Sequence, residues 1–335
     1  MENNQAVQLT SGELSQLWTS YQNDSGSICM VTYLLKIVKD PDLKALLEHS
    51  LQLSKSHIQT LTTLFEQENL PVPKGFSKEE DLNLDAPPLF TDVFIMEFMN
   101  QSSQQSLNAY TMAKSLATRS DIDDFYSKCL NESNKLNTMT KSLLLEKGVF
   151  TRAPVIPYPE KVDFVKKQSF LTGWFGNRRP LTALEIANIF SNHQRNAIGE
   201  AILIAFRQVT NTKEISEFFE RGKQIAAKQM EVLESILREN DLPVPMNSDN
   251  FITKSTVAPI SERLMLFAIT SLISLGLGYY GTSMSTNLRR DLTAHYHRFI
   301  DEVLKYSEDG ANLMIDFGWM EEPPHASNRD KLADQ

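Results

Sequence analysis

The chain has 335 residues, of which 41% are hydrophobic and 22% charged, and a net charge of −9 at pH 7. That length is enough for two domains, each with an ordinary core. The charge is uneven: residues 1–150 carry net −7, residues 151–180 net +4 and residues 181–322 net −6. Acidic bodies of this kind repel phosphate, which excludes nucleic acid as a partner of either.

Leu70-Pro71-Val72-Pro73 returns as Leu242-Pro243-Val244-Pro245, a shift of 172, and the same shift carries Leu9-Thr10 onto Leu181-Thr182 and Trp18 onto Phe190. Pro88 then realigns with Pro259 at 171, and Gly148 with Gly318 at 170. This is a tandem duplication. The expected organisation is a body over 1–150, a connector over 151–180, a second body over 181–320 and a frayed tail over 321–335. The polar N-terminus shows neither a basic nor an apolar leader segment, so the expected location is cytoplasmic.

Each copy reads as four long helices. The first opens with a capping box, Thr10 to Glu13 and Thr182 to Glu185, and carries an apolar stripe through Leu14, Leu17, Trp18 and Tyr21 or Ile186, Ile189, Phe190 and His193. A short turn leads to the second helix, with Asp40-Pro41 and Thr212 as its caps, so the two helices are antiparallel neighbours. The prolines of Leu-Pro-Val-Pro end that helix. A connector rich in Pro, Asp and Asn then reaches Pro87-Pro88 or Pro259, where the third helix is expected to begin. The fourth starts near Ser120-Asp121 or Arg290-Asp291 and stops at Gly148 or Gly318, placed for the left-handed cap. A helix of about 28 residues is about 42 Å long, a distance the connector can span. The expectation is an all-α chain of two tandem ferritin-like four-helix bundles, each with a long crossover from its second to its third helix.

Cys29 and Cys129, the only cysteines, lie in apolar helical contexts and are expected as reduced core thiols. Gly276 to Gly281 spells Gly-x-Gly-x-x-Gly, but inside a predicted helix with no preceding strand, so a nucleotide site is not expected and close helix packing is. The charge-free run Leu264–Gly281 is near the lower limit for crossing a bilayer. Its counterpart in the first copy contains Glu97, Asn100 and Gln101, so a buried central helix is expected and no transmembrane segment. Serine-hydrolase and phosphate-loop signatures are missing from the sequence, and no catalytic residue is assigned.

A ferritin-like bundle raises the question of a paired metal centre, which needs a Glu from each of two helices and Glu-x-x-His from each of the others. Glu-x-x-His occurs only as Glu322-Pro323-Pro324-His325, in the tail after the fourth helix and not on any helix of a bundle. The nearest set is in the second copy: Glu200 in an apolar run, His193 two turns before it, Glu231 and Glu234 as Glu-x-x-Glu, and His295, His297 and Asp301 on the fourth helix. Across the repeat, His193 faces Tyr21, Glu200 faces Ile28, Glu231 faces Gln59, Glu234 faces Thr62 and His295 faces Phe125; His57 and His49 face Gln229 and Arg221. No candidate ligand recurs, which rules out two intact sites. The expectation is no cofactor, the alternative being one degenerate Fe, Mn or Zn site in the second bundle. In the connector, Trp174, Phe175, Arg178 and Arg179 are the interaction candidates. The stretch Phe170–Arg179 is expected to pack in a groove between the bundles, the alternative being contact with a partner or a membrane surface. Protein partners and oligomeric state are left open.

Leu-Pro-Val-Pro followed by Gly75-Phe76, Pro88-Leu89-Phe90-Thr91-Asp92, Arg179-Pro180-Leu181, Arg289-Arg290-Asp291-Leu292 and Gly318-Trp319-Met320-Glu321-Glu322-Pro323-Pro324 resemble, in that order, the double-bundle family known as domain of unknown function 3231, found mainly in spore-forming Gram-positive bacteria. The resemblance implies a ferritin-like fold related to the spore coat protein F group. It implies no activity and transfers no site residues. The functional expectation is a non-enzymatic structural or interaction protein associated with sporulation, with a degenerate metal-binding protein or oxidoreductase as the alternative.

Overall fold

The structure, a computed structural model, describes residues 7–174, 178–245 and 252–329. It consists of helices α1 (Ser11–Ile37), α2 (Pro41–Gln67), α3 (Lys78–Asp81), α4 (Asp92–Leu116), α5 (Ser120–Glu146), α6 (Ala183–Val209), α7 (Lys213–Arg238), α8 (Glu262–Thr286) and α9 (Arg290–Asp316), with a 3₁₀ turn at Gln168–Leu171. The chain is all-α and builds the same four long helices twice, α1, α2, α4, α5 and then α6 to α9. It divides into two units, Met1–Leu84 with Met99–Leu143 and Trp319–Gln335, and Asp85–Phe98 with Leu144–Gly318.

In the second unit α6 packs on α7 and α8, while α9 packs on α8 and α7, which closes a ring of four. In the first unit α1 packs on α2. The core there gathers Leu17, Leu61, Leu64, Phe65, Ile122, Tyr126 and Cys129. Both cysteines are buried free thiols, as expected.

The capping boxes form and do more than cap. Glu13 accepts from the Thr10 amide at 2.8 Å and from the Thr118 and Arg119 amides of the α4–α5 turn at 2.7 and 2.8 Å. Glu185 accepts likewise from Thr182, Leu288 and Arg289. One carboxylate thus ties the start of a first helix to the turn between the third and fourth. Burial opposes ionisation of Glu13, but the amides of Thr10, Arg119 and Thr118 outweigh it and hold the acid down at about 2. For Glu185, burial is outweighed by Arg179 and the Thr182 amide, with the same result of about 2. An arginine closes each turn. Arg119 grips Asp121 at 2.9 and 2.7 Å, and Arg289 grips Asp291 at 3.1 and 2.6 Å.

Several boundaries differ from the sequence reading. Thr212 occupies the cap position of α7 but makes no side-chain cap bond; Glu262 instead accepts from the Asn211 and Thr212 amides at 2.8 and 3.0 Å and from the Thr210 and Thr212 hydroxyls. A long carboxylate from α8 reaches donors that the shorter threonine leaves open. The second helices stop before the prolines, at Gln67 and Arg238, and Asn69 and Asp241 just beyond them both sit at φ 54°. Leu70 and Leu242 then donate back to Phe65 and Leu237, the pattern of a left-handed helix cap. The third helix of the second copy starts not at Pro259 but after Ser261, whose hydroxyl accepts from the Leu264 amide at 3.1 Å. Gly148 and Gly318 do take the left-handed cap, at φ 70° and 67°.

Among the described residues one helix, α8, is long and apolar enough to cross a membrane, and only 28% of its apolar window is buried. It is therefore less enclosed than the buried central helix expected, because only the side carrying Leu264, Met265, Ile269, Ile273 and Tyr280 turns inward. Its glycines are not close-packing points either: a Cβ built at Gly276, Gly278 or Gly281 meets nothing within 4 Å. Close approaches in this unit include Gly173, where a Cβ would overlap Asp291, and Gly222 of α7, where it would overlap the Tyr306 ring of α9. That ring donates its hydroxyl to the Phe218 carbonyl at 3.1 Å.

Candidate functional site

A set of ionisable side chains from all four long helices meets in the first unit, outside the residues picked from the sequence. Asp24 of α1, His57 of α2, Tyr110 of α4 and Cys129 and Glu132 of α5 bring one or two groups from each of the four long helices. Asp24, His57 and Cys129 are buried, and Glu132 is partly so. His57 Nδ1 lies 3.3 Å from Asp24 Oδ2, and its Nε2 lies 2.9 Å from Glu132 Oε2. The Tyr110 hydroxyl donates to Asp24 Oδ2 at 3.3 Å and sits 3.2 Å from His57 Nδ1. Phe125 meets the imidazole edge-on at 6.0 Å.

An imidazole between two carboxylates is satisfied only as the imidazolium, with both N–H groups donating. Burial works against that charge, but hydrogen bonding to Asp24 and the field of its carboxylate outweigh it and raise His57 to about 11. The Cys129 thiol is pushed up by burial and stays protonated, so this is not an activated Cys–His nucleophile. The carboxylates approach opposite edges of the ring and share no common point with it.

The second unit builds a corresponding frame with two amides in place of Asp24 and His57. Asn196, Gln229, Tyr280 and Glu302 stand at the repeat positions of Asp24, His57, Tyr110 and Glu132. The Tyr280 hydroxyl lies 2.8 Å from Asn196 Oδ1 and 2.7 Å from Gln229 Oε1, and Gln229 Nε2 donates to Glu302 Oε2 at 3.3 Å. Glu302 also meets Lys228 at 3.0 Å. A second polar contact accompanies each frame, Ser20 with Tyr126 at 3.3 Å and Asn192 with Tyr296 at 3.5 Å. The signal was present in the sequence: tyrosine and glutamate recur at a shift of 170, while Asp/Asn and His/Gln exchange at 172.

Of those metal candidates, the structure joins His193 to Glu234, with Nε2 at 2.9 Å from Oε1, and Glu234 also accepts from Arg238 at 2.8 Å. Burial keeps His193 below its ordinary value despite Glu234, and its Nδ1 has no partner. Glu231 is exposed and Glu200 half-buried. His295 packs beside Trp174 and Phe299, at 6.2 and 6.4 Å between ring centres. Among the described residues no three His, Cys, Asp or Glu side chains converge to hold a metal ion.

The connector residues find partners within the second unit. Arg179 donates to both Glu185 oxygens at 2.7 and 2.8 Å and stacks 4.1 Å over Phe170. Arg178 meets Glu239 at 2.7 Å. Trp174 remains 54% exposed, with less cover than its apolar ring suggested. Phe175 lies outside the described residues.

Two copies of a four-helix unit, each crossed by one polar frame, define an all-α tandem-repeat protein. The model of the family described as "Protein of unknown function (DUF3231)" matches residues 1–162 and again 169–332. The chain belongs to that family. It is also similar to the crystal structure of a "putative spore coat protein" from Bacillus halodurans, at 21% identity over 48% of this chain and all of that one, with a TM-score of 0.41. No curated protein matches the chain.

Proposed function

We propose that the chain is a non-enzymatic structural or interaction protein of the sporulating cell, made of two ferritin-like bundles, 1–150 and 181–320, joined by the 151–180 connector and followed by the 321–335 tail. The observation that carries this reading is the frame built twice with different chemistry. A catalytic or metal-binding role would demand particular ionisation states at those positions. Exchange of Asp24 and His57 for Asn196 and Gln229 keeps the contacts to the tyrosine and the glutamate and discards the imidazolium, which is the behaviour of a device that fixes helix register. The helix neighbours of the second unit and the long stretch between α7 and α8 support the ferritin-like arrangement. Association with the spore rests on the family resemblance, and cytoplasmic synthesis is part of the same reading.

The test is genetic and analytical. Deletion should alter spore assembly, resistance or germination, and unchanged spores in all three assays would overturn the reading. Protein purified without chelator should carry substoichiometric Fe, Mn and Zn. A stoichiometric metal lost in Glu234→Ala would favour the metal-binding alternative.

A further inference from the structure

The part of the connector with the most exposed apolar surface is not the aromatic and arginine stretch but the one before it. Val155, Tyr158, Val162, Phe164 and Val165 are 81, 91, 87, 82 and 62% exposed. No other segment gathers as many large exposed hydrophobics among the described residues. Residues 151–167 have no helix or strand. Pro154, Pro157 and Pro159 hold part of the segment extended and lower the entropy lost if it is bound.

Both ends are fastened within the second unit. Val149 donates to the Leu144 carbonyl, and the Thr151 carbonyl accepts from Gln194 at 3.4 Å. On the far side come the 3₁₀ turn and Arg179 over Phe170. Between these anchors the segment carries Arg152, Lys161, Lys166 and Lys167 against Glu160 and Asp163. Among the described residues Lys166 pairs with Asp163 of the same segment, at 3.6 Å.

We propose that residues 152–167 are a docking strap whose occupant is the acidic bundle surface of a second copy of this chain. The inference rests on the interaction reading above and names its partner. Two observations select that partner. The strap is basic while the bodies on either side carry net −7 and −6, so another copy supplies the complementary charge, whereas those same bodies repel an anionic membrane. The exposed surface is also apolar, with an aromatic at each end of its Tyr158–Phe164 stretch, the composition of an interface rather than of a solvated linker. Strap on one copy and acidic surface on the next make a head-to-tail contact, which continues from copy to copy unless its rotation closes a ring. Five large side chains cover on the order of 600 Å², at the low end for a stable interface, so the association is concentration-dependent.

Sedimentation of the full chain across a range up to about 100 µM tests this, beside a variant carrying Tyr158→Ser, Val162→Ser and Phe164→Ser. The wild type should associate and the variant should need roughly tenfold more protein or greater, with far-UV circular dichroism and melting unchanged because the replaced side chains are exposed. Half-molar salt should weaken wild-type association. A photo-crosslinker at position 158 should map to acidic helix surface of a neighbouring copy. Wild type that stays monomeric, or a variant that associates equally, overturns the proposal. Strap-dependent binding to anionic vesicles without self-association does so too, in favour of a membrane. A spore phenotype on deletion together with a monomeric wild type would sink the strap alone, whereas normal spores on deletion would sink the functional reading.

Discussion

At the same place among four helices, the first unit holds Asp24, His57 and Glu132 and the second holds Asn196, Gln229 and Glu302. The contacts to tyrosine and glutamate match, but where Asp24 meets His57 the Asn196 amide nitrogen has no partner, and the energetics differ as well. A buried imidazolium between carboxylates is taken out of water at a high desolvation cost, which its partners return only while all remain in place. The amide frame is cheaper to bury and less costly to break. Duplication has left one fold with a brittle polar layer in the first unit and a tolerant one in the second.

Removing the central group of each frame separates them most widely. His57→Ala strands Asp24 and Glu132 without their counter-charge and should cost about 3–5 kcal/mol, against about 1–3 kcal/mol for Gln229→Ala, which leaves hydrogen bonds unmade. Hydrogen exchange can read the two separately, α1 and α2 losing protection in the first variant and α6 and α7 in the second. Equal losses would erase the distinction.

Acid should act on a feature the two units share. Glu13 and Glu185 are both held at about 2 in the folded chain, below the ordinary 4.5, so the stability they confer is complete above pH 4.5 and is lost as pH falls from there through 2. Each carboxylate is worth on the order of 3 kcal/mol by that shift, and denaturant midpoints between pH 6 and 3 should fall less in Glu13→Gln than in wild type. An unchanged slope would refute the assignment.

Converting the first frame into the second sharpens the comparison further. His57→Gln alone leaves Asp24 charged and facing an amide, whereas Asp24→Asn with His57→Gln reproduces the neutral pair. The double variant should be more stable than the sum of the singles by about 1–2 kcal/mol, measured by a urea double-mutant cycle. Alkali gives an independent reading. The stability from His57, raised to about 11, is fully present below pH 6.5 and is lost as pH rises through 11, and this alkaline loss should vanish in His57→Gln.

The smallest expected effect concerns the chain end. Glu321 accepts from the Lys74 and Gly75 amides at 2.8 and 2.6 Å, so the tail is held at the first residue expected to fray. Gly75 sits at φ 57°, a conformation that costs glycine little and lets both amides face one carboxylate. Glu321→Ala should cost under about 1 kcal/mol, since Glu321 is only half-buried and Lys74 is exposed, visible as faster proteolysis after Gly318 with the α6–α9 region unaffected.

What the sequence determined by itself was the repetition and the local signals: the shift of 172, two capping boxes, glycine caps at Gly148 and Gly318, and helical spacing of apolar residues. These depend on neighbours within a few positions, so they survive being read in one dimension. Only the tertiary structure decided that Glu262 would cap α7 in place of Thr212, that Arg179 would spend its charge on Glu185, and that α8 would turn one side outward. It also decided that Asp24, His57, Tyr110 and Glu132, spread over more than a hundred residues, would meet. Each of these outcomes is a competition among side chains from different helices for the same donors or the same space, and the winner is set by distances that exist only after the helices pack.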